Sequence, residues 1–291
     1  MSGLRCRPAL LAALLLNAAC GCNVLNLNPA GGDRAAREPI TGAPSKYSYR
    51  IAPYVFLADF DIPRNAPVFR ELTGLRDQVT RELRLPAINN VVQVYLFEDR
   101  EHYERFMQDR YPKLPKRRAF FVAQPRRLGG TEDLLVYTYW GDRIQQDLRH
   151  ELTHALLHSV LKDVPLWLDE GLAEFFEVPG AANGLNLQHL EQLRRIGERR
   201  PKLARLEQLS EVEHMTPADY REAWAWVHLM LRSTPKARDV LIGYLQELRS
   251  NPQPGPLGPR LATAFLSLDE ALDRHLAELA GKNQISGSVR R

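Results

Sequence analysis

The chain has 291 residues, 44% of them hydrophobic and 25% charged, which is the composition of an ordinary globular protein and excludes a mainly disordered or fibrous one. Net charge is +4, and two of those positive charges, Arg5 and Arg7, fall in a leader; what remains is too small for a nucleic-acid footprint, so no nucleic-acid partner is expected. All three cysteines, Cys6, Cys20 and Cys22, lie in the first 22 residues, so the rest of the chain has no disulfide, thiolate metal site or cysteine nucleophile. Any metal must be held by His, Asp or Glu.

Residues 1–22 read as a targeting segment. Arg5 and Arg7 give a basic start, residues 9–16 are an apolar run, and Asn17, Ala18, Ala19, Cys20, Gly21 and Cys22 follow. The run is too short to span a bilayer, which needs about 20 residues, and suits a signal-peptide core. The segment resembles a bacterial lipoprotein signal, with Cys20 or Cys22 as the lipidated residue, although Asn17 replaces the usual apolar residue. Export to the bacterial cell envelope is expected, with membrane contact only through the N-terminal lipid anchor; a plain secretory signal is the alternative. Residues 23–45, rich in Asn, Gly, Pro, Ala and Arg, read as a flexible tether.

Residues 46–281 read as one domain with two lobes. In 46–141, strands are expected at 47–57, 91–97, 119–123 and 134–140, with helices at 67–85 and 99–109. A turn at Gly129-Gly130 separates the last two strands. Beyond Trp140 the strand signals stop, and helices are expected over 144–161, 166–177, 186–198, 203–210, 217–233, 236–249 and 261–280, jointed by Pro and Gly. Strands first and helices after give an α+β fold, a small mixed sheet followed by an all-helical lobe (142–281). Residues 282–291 read as a frayed basic tail.

The chemistry sits in His150-Glu151-Leu152-Thr153-His154. On a helix, residues four apart lie one above the other, so both imidazoles can reach one cation while Glu151 leans over its water; this is the H-E-x-x-H zinc pattern. A catalytic zinc takes three protein ligands and keeps one position open. His158 stands about 12 Å along the axis from His150 and cannot share an ion with it, so it reads as a surface or packed residue. Glu170 is the better third ligand. The helix runs about 10 Å beyond His154, the turn at 162–165 reverses the chain, and Glu170 comes back down by about 8 Å. Glu174, four residues on, returns to the level of His150, where it can hydrogen-bond the distal ring nitrogen and fix the tautomer. Gly171 beside the ligand permits a close backbone approach. The alternative reading of Glu170 and Glu174 is a solvated acidic stripe.

H-E-x-x-H followed by Trp167-Leu168-Asp169-Glu170-Gly171-Leu172-Ala173-Glu174-Phe175-Phe176 resembles the gluzincins, the zinc metallopeptidases whose third ligand is a glutamate, and most closely the compact bacterial peptidase MA-like families. The resemblance is strong over 144–177 and weaker over 90–235. It implies a zincin-like fold with the active-site helix between the lobes, one zinc per chain on His150, His154 and Glu170, Glu151 as general base, and Glu174 as a supporting carboxylate. The expected partner is a peptide or protein substrate. By similarity to the aminopeptidase branch, Tyr220, opening a downstream helix, implies a hydroxyl donated to the developing oxyanion, with His228 as a second candidate donor. Residues 129–133 loosely resemble that branch's substrate-gripping segment, but a strand-joining turn is the preferred reading. The strand at 134–140 is a candidate edge for an extended peptide. A non-catalytic zinc-binding envelope scaffold is the alternative to the peptidase. The basic clusters at 116–118 and 194–202 read as solvated faces.

Overall fold

The computed structural model describes residues 42–125, 132–195 and 201–288. The leader, nearly all of the tether, the Gly129-Gly130 turn and part of the 194–202 cluster lie outside them. Strands β1 (Tyr47–Ile51) and β2 (Tyr54–Ala58) form a hairpin, followed by helices α1 (Pro67–Thr73) and α2 (Leu75–Leu83), strand β3 (Val92–Phe97), helix α3 (Arg100–Arg110) and strands β4 (Ala119–Pro125) and β5 (Glu132–Tyr139). The helical part holds α4 (Ile144–His158), α5 (Leu166–Phe176), α6 (Leu187–Arg195), α7 (Leu203–Leu206), α8 (Pro217–Arg232), α9 (Pro235–Glu247), α10 (Gly258–Leu261) and α11 (Leu268–Ser288). The α+β class expected from the sequence is the observed one.

Where one strand was expected over 47–57, the chain turns at Ala52-Pro53 and pairs Tyr49 with Phe56 in antiparallel register. Where one helix was expected over 67–85, Gly74 divides α1 from α2. The expected helix over 261–280 is likewise two, α10 and α11. Helix α11 continues to Ser288, past residue 281 where the sequence suggests a frayed tail; no proline interrupts it there.

The sheet order is β1-β2-β3-β5-β4. β2, β3 and β5 run parallel, and β1 and β4 close the two edges antiparallel. β5 is therefore interior, with both edges hydrogen-bonded, and the expectation that 134–140 offers a peptide-binding edge is corrected: the edge strand on that side is β4.

The two faces of the sheet are sorted by the period of two along each strand. Val94, Leu96, Phe121, Leu134 and Val136 belong to the core shared with Leu148, Leu152, Ala155 and Leu156 of α4. Tyr95, Phe97, Phe120, Val122, Leu135 and Tyr137 face Tyr103, Phe106 and Met107 of α3. Helix α4 thus lies across the sheet with its next layer, α5, behind it. Arg149, 2% exposed, pins α4 in place: its Nε donates to the Phe176 carbonyl at 2.8 Å and a terminal nitrogen donates to Gln78 at 2.8 Å. Every residue of α5 is buried, as befits a helix wrapped on all sides by other elements. This excludes the solvated-stripe reading of Glu170 and Glu174.

Candidate metal centre

Helices α4 and α5 bring three ligand atoms to one point. Nε2 of His150 and Nε2 of His154 are 3.3 Å apart, and Oε2 of Glu170 lies 3.4 Å from the first and 3.5 Å from the second. A tetrahedral ion at the usual zinc distances to nitrogen and oxygen, about 2.0–2.1 Å, sets its ligand atoms about 3.3–3.4 Å from one another, so the triangle is the right size. Glu170 is 5% exposed, and its Oε2 is buried without a hydrogen-bond partner. A buried carboxylate oxygen left in this state is costly, and a cation at the centre of the triangle removes the cost.

The surroundings hold the two rings with their Nε2 atoms turned toward each other and toward Glu170. Nδ1 of His154 donates to Oδ2 of Asp169 at 2.9 Å, which in the neutral ring leaves Nε2 as the acceptor. Oδ2 of Asp169 also receives Nε2 of His158 at 3.0 Å, and the His158 ring stacks on Phe121 with centroids 5.5 Å apart. His158 is thus a packed residue, and one that anchors the carboxylate behind His154. On His150 the orienting partner is Glu177, whose Oε2 lies 3.5 Å from Nδ1. The other oxygen of Glu177 accepts from Gln146 at 2.7 Å and Asn186 at 2.9 Å. Glu174, expected in that role, lies in the same neighbourhood, grouped with His150 and Glu177, but its short hydrogen bond, 2.7 Å, comes from Nε2 of His189 on α6. Among the described residues, His150, His154 and Glu170 are one of three groups able to hold a metal; the other two, His154–His158–Asp169 and His150–Glu174–Glu177, are built around the supporting bonds just described.

The electrostatics agree with an electron-rich pocket. Burial would lower the pKa of both rings, yet Glu170 and Glu177 raise His150 well above its ordinary value, and Asp169 and Glu170 raise His154 to about 10. The carboxylates that draw protons to these rings also attract a divalent cation, which has to displace a ring proton to reach Nε2. Burial in turn pushes Glu151 above the usual carboxylate range, although both histidines pull the other way.

The space in front of these groups is small, about 50 Å³, and is lined by Arg117, Phe120, Phe121, His150, Glu151 and Glu170, among others. It has room for one or two waters. Arg117, expected on a solvated face, instead lines this space and donates to Oη of Tyr220 at 2.9 Å. Tyr220 is the fourth residue of α8, whose start is fixed by the Thr216–Asp219 capping box. Burial, and then the Glu170 carboxylate, push its hydroxyl up to about 12. His228 is not brought to this site: it is buried against His275 at 2.9 Å and lines a separate cavity of about 450 Å³.

Asp169, Glu177, His189 and Arg117 were not singled out from the sequence. Glu177 carried a usable signal, since it falls seven residues after Glu170 and hence on the same helix face. No curated protein compared with the chain matches it. A family model described as "Protein of unknown function (DUF1570)" matches residues 145–254, a stretch that contains the H-E-x-x-H segment, Glu170 and Tyr220.

Proposed function

We propose that the chain is a zinc-dependent peptidase of gluzincin type, in which His150, His154 and Glu170 hold the ion. The reading rests above all on the convergence of two histidine nitrogens and an unpartnered carboxylate oxygen, with Glu151 on the wall of the same space. A bound zinc supplies Lewis acidity, which brings the pKa of a water toward about 7 and polarises a carbonyl. Glu151 takes the proton of the attacking water and passes it to the leaving nitrogen; its raised pKa suits a group that must both accept and return a proton. Tyr220, whose oxygen already accepts from Arg117, keeps its own hydrogen to donate to the carbonyl oxygen as negative charge develops. Asp169 and Glu177 hold the rings still. The edge of β4, beside α4, is the place for an extended peptide. The leader supports a location in the bacterial cell envelope.

The test is metal analysis of the purified chain followed by digestion of a peptide library. One zinc per chain with zinc-dependent cleavage is expected, and Glu151→Gln should retain the metal and lose about 10²–10⁴-fold in turnover. Stoichiometric zinc with no cleavage would favour the non-catalytic zinc-binding scaffold. Undiminished cleavage by Glu151→Gln would remove Glu151 as the base.

A further inference from the structure

A second hollow of about 280 Å³ adjoins the space before the metal centre; the two share Leu114, Pro115, Arg117 and Phe120 as walls. Arg117 is the charged residue common to both. The acids of the larger hollow are already matched: Glu101 meets Arg105 at 2.8 Å and Glu104 meets Arg100 at 2.6 Å. Arg117 is different. Its hydrogen-bond partner among the described residues is a neutral hydroxyl, that of Tyr220, and its guanidinium lies over the Phe120 ring, 5.9 Å from the centroid. The guanidinium is a planar fork suited to two parallel bonds with a carboxylate; it is held here by a ring and a phenol, and Glu170 and Glu151, which share the smaller space with it, act on it through space without a hydrogen bond among the described residues. Its place in the chain adds a direction. Arg117 comes two residues before the start of β4, the edge strand on the metal side of the sheet, so it marks one end of the path a peptide would follow along that edge.

We propose that Arg117 is the receptor for a substrate carboxylate, so that cleavage is directed to peptides presenting either a free C-terminal carboxylate or an acidic side chain beside the scissile bond, with the 280 Å³ hollow taking the neighbouring side chain. This deepens the peptidase reading and rests on it. Arg117 is then the specificity-determining residue, and Tyr220 serves the reacting carbonyl.

The experiment compares otherwise identical fluorogenic peptides ending in a free acid or an amide, and a second set with internal Glu or Gln beside the cleaved bond, on the full zinc-loaded chain and on its Arg117→Lys, Arg117→Gln and Tyr220→Phe variants. The unaltered chain should favour one acid form by about tenfold or more in kcat/KM, mostly through KM, as a charge-assisted pair provides. The arm that shows the preference identifies the source of the carboxylate. Arg117→Gln should bring the ratio close to one and Arg117→Lys should keep part of it, while Tyr220→Phe should lower kcat for acid and amide forms alike with the ratio intact. A ratio near one in both sets, or equal losses on acid and amide substrates in Arg117→Gln, would overturn the proposal while leaving the peptidase reading in place. Fluorescence anisotropy of the same labelled peptides on zinc-loaded Glu151→Gln separates the other case. Arg117-dependent preference for the acid form without turnover by the unaltered chain would keep the receptor and remove the peptidase. Absence of that preference in binding would overturn the receptor.

Discussion

Oδ2 of Asp169 lies 2.9 Å from Nδ1 of His154, on the ring nitrogen opposite the one that faces Glu170. A carboxylate there cannot donate, so once the ring is neutral, as a metal ligand must be, its proton sits on Nδ1 and Nε2 is left as a lone pair. Asp169→Asn keeps the shape but can present its amide to the ring and allow the other tautomer. Zinc affinity should fall by about 10–100-fold, read by competition with a chromophoric chelator. Unchanged affinity would mean that the helix pair alone aims the ring.

Removing the ion should cost stability, because the unpartnered Oε2 of Glu170 is then left with no more than the two rings. At a zinc concentration 100 times Kd the gain is about 2.7 kcal/mol. A thermal scan should show a rise in Tm on adding zinc and its reversal by chelator, and His150→Ala and Glu170→Gln should abolish the rise. An equal rise in those variants would place the ion elsewhere.

Gly171 is next to the third ligand, and a Cβ built on it would stand 2.8 Å from the Ala223 carbonyl oxygen and 2.9 Å from Cγ2 of Val227. The close approach it allows is between α5 and α8, and the blocking atoms include backbone, which cannot swing aside. Gly171→Ala should destabilise by about 1–3 kcal/mol, measured by urea unfolding, and should weaken zinc binding by tilting Glu170. A stability within about 0.5 kcal/mol of the parent would show that the two helices separate freely.

The buried pair His228 and His275 gives a pH dependence of known sign. Burial, then His275 and Arg232, hold His228 down at about 3. Burial also lowers His275, to about 4, with Glu278 opposing and Lys282 adding to the shift. In the unfolded chain both return to near 6.5. Between those limits the unfolded chain binds more protons than the folded one, so stability rises with pH and is lost as pH falls below about 6.5. The slope contributed approaches about 1.4 kcal/mol per pH unit for each proton, and the pair contributes no slope above about pH 7.5. His275→Gln should flatten urea-unfolding stability over pH 4–6.5; an unaltered slope would locate the acid sensitivity in other groups.

The meeting of the three candidate ligands was legible because helical rise and a four-residue spacing fix where side chains can meet: His150 and His154 share a face, and the return of Glu170 follows from counting residues on either side of a tight turn. Strand membership was legible too, but strand order was not. Alternation says which face a residue of β5 presents and nothing about which neighbour lies beside it, so the edge was assigned to β5 when it belongs to β4. The supporting shell was only partly legible. Glu174 and Glu177 lie on one face of the same turn and its extension, and which of them meets His150 depends on Gln146, Asn186 and His189, which arrive from other helices. Arg117 was unreadable for a similar reason: a run of three basic residues looks solvated until Tyr220, more than a hundred positions away, is placed beside it.

The core that encloses the candidate metal centre is continuous from Tyr49 in the first hairpin to Leu272 in the last helix. The stretch 145–254 is therefore not an excisable module. A fragment cut at those points would strip the sheet from α4 and lay bare Leu148, Leu152 and Leu156, each fully buried in the intact chain. At about 1.5–3 kcal/mol for each such side chain, their exposure alone would consume much of the 5–15 kcal/mol that holds a typical folded protein together. Whatever chemistry the two histidines and their glutamate perform, the strands upstream are its foundation, and recombinant work should begin from a chain that includes the hairpin.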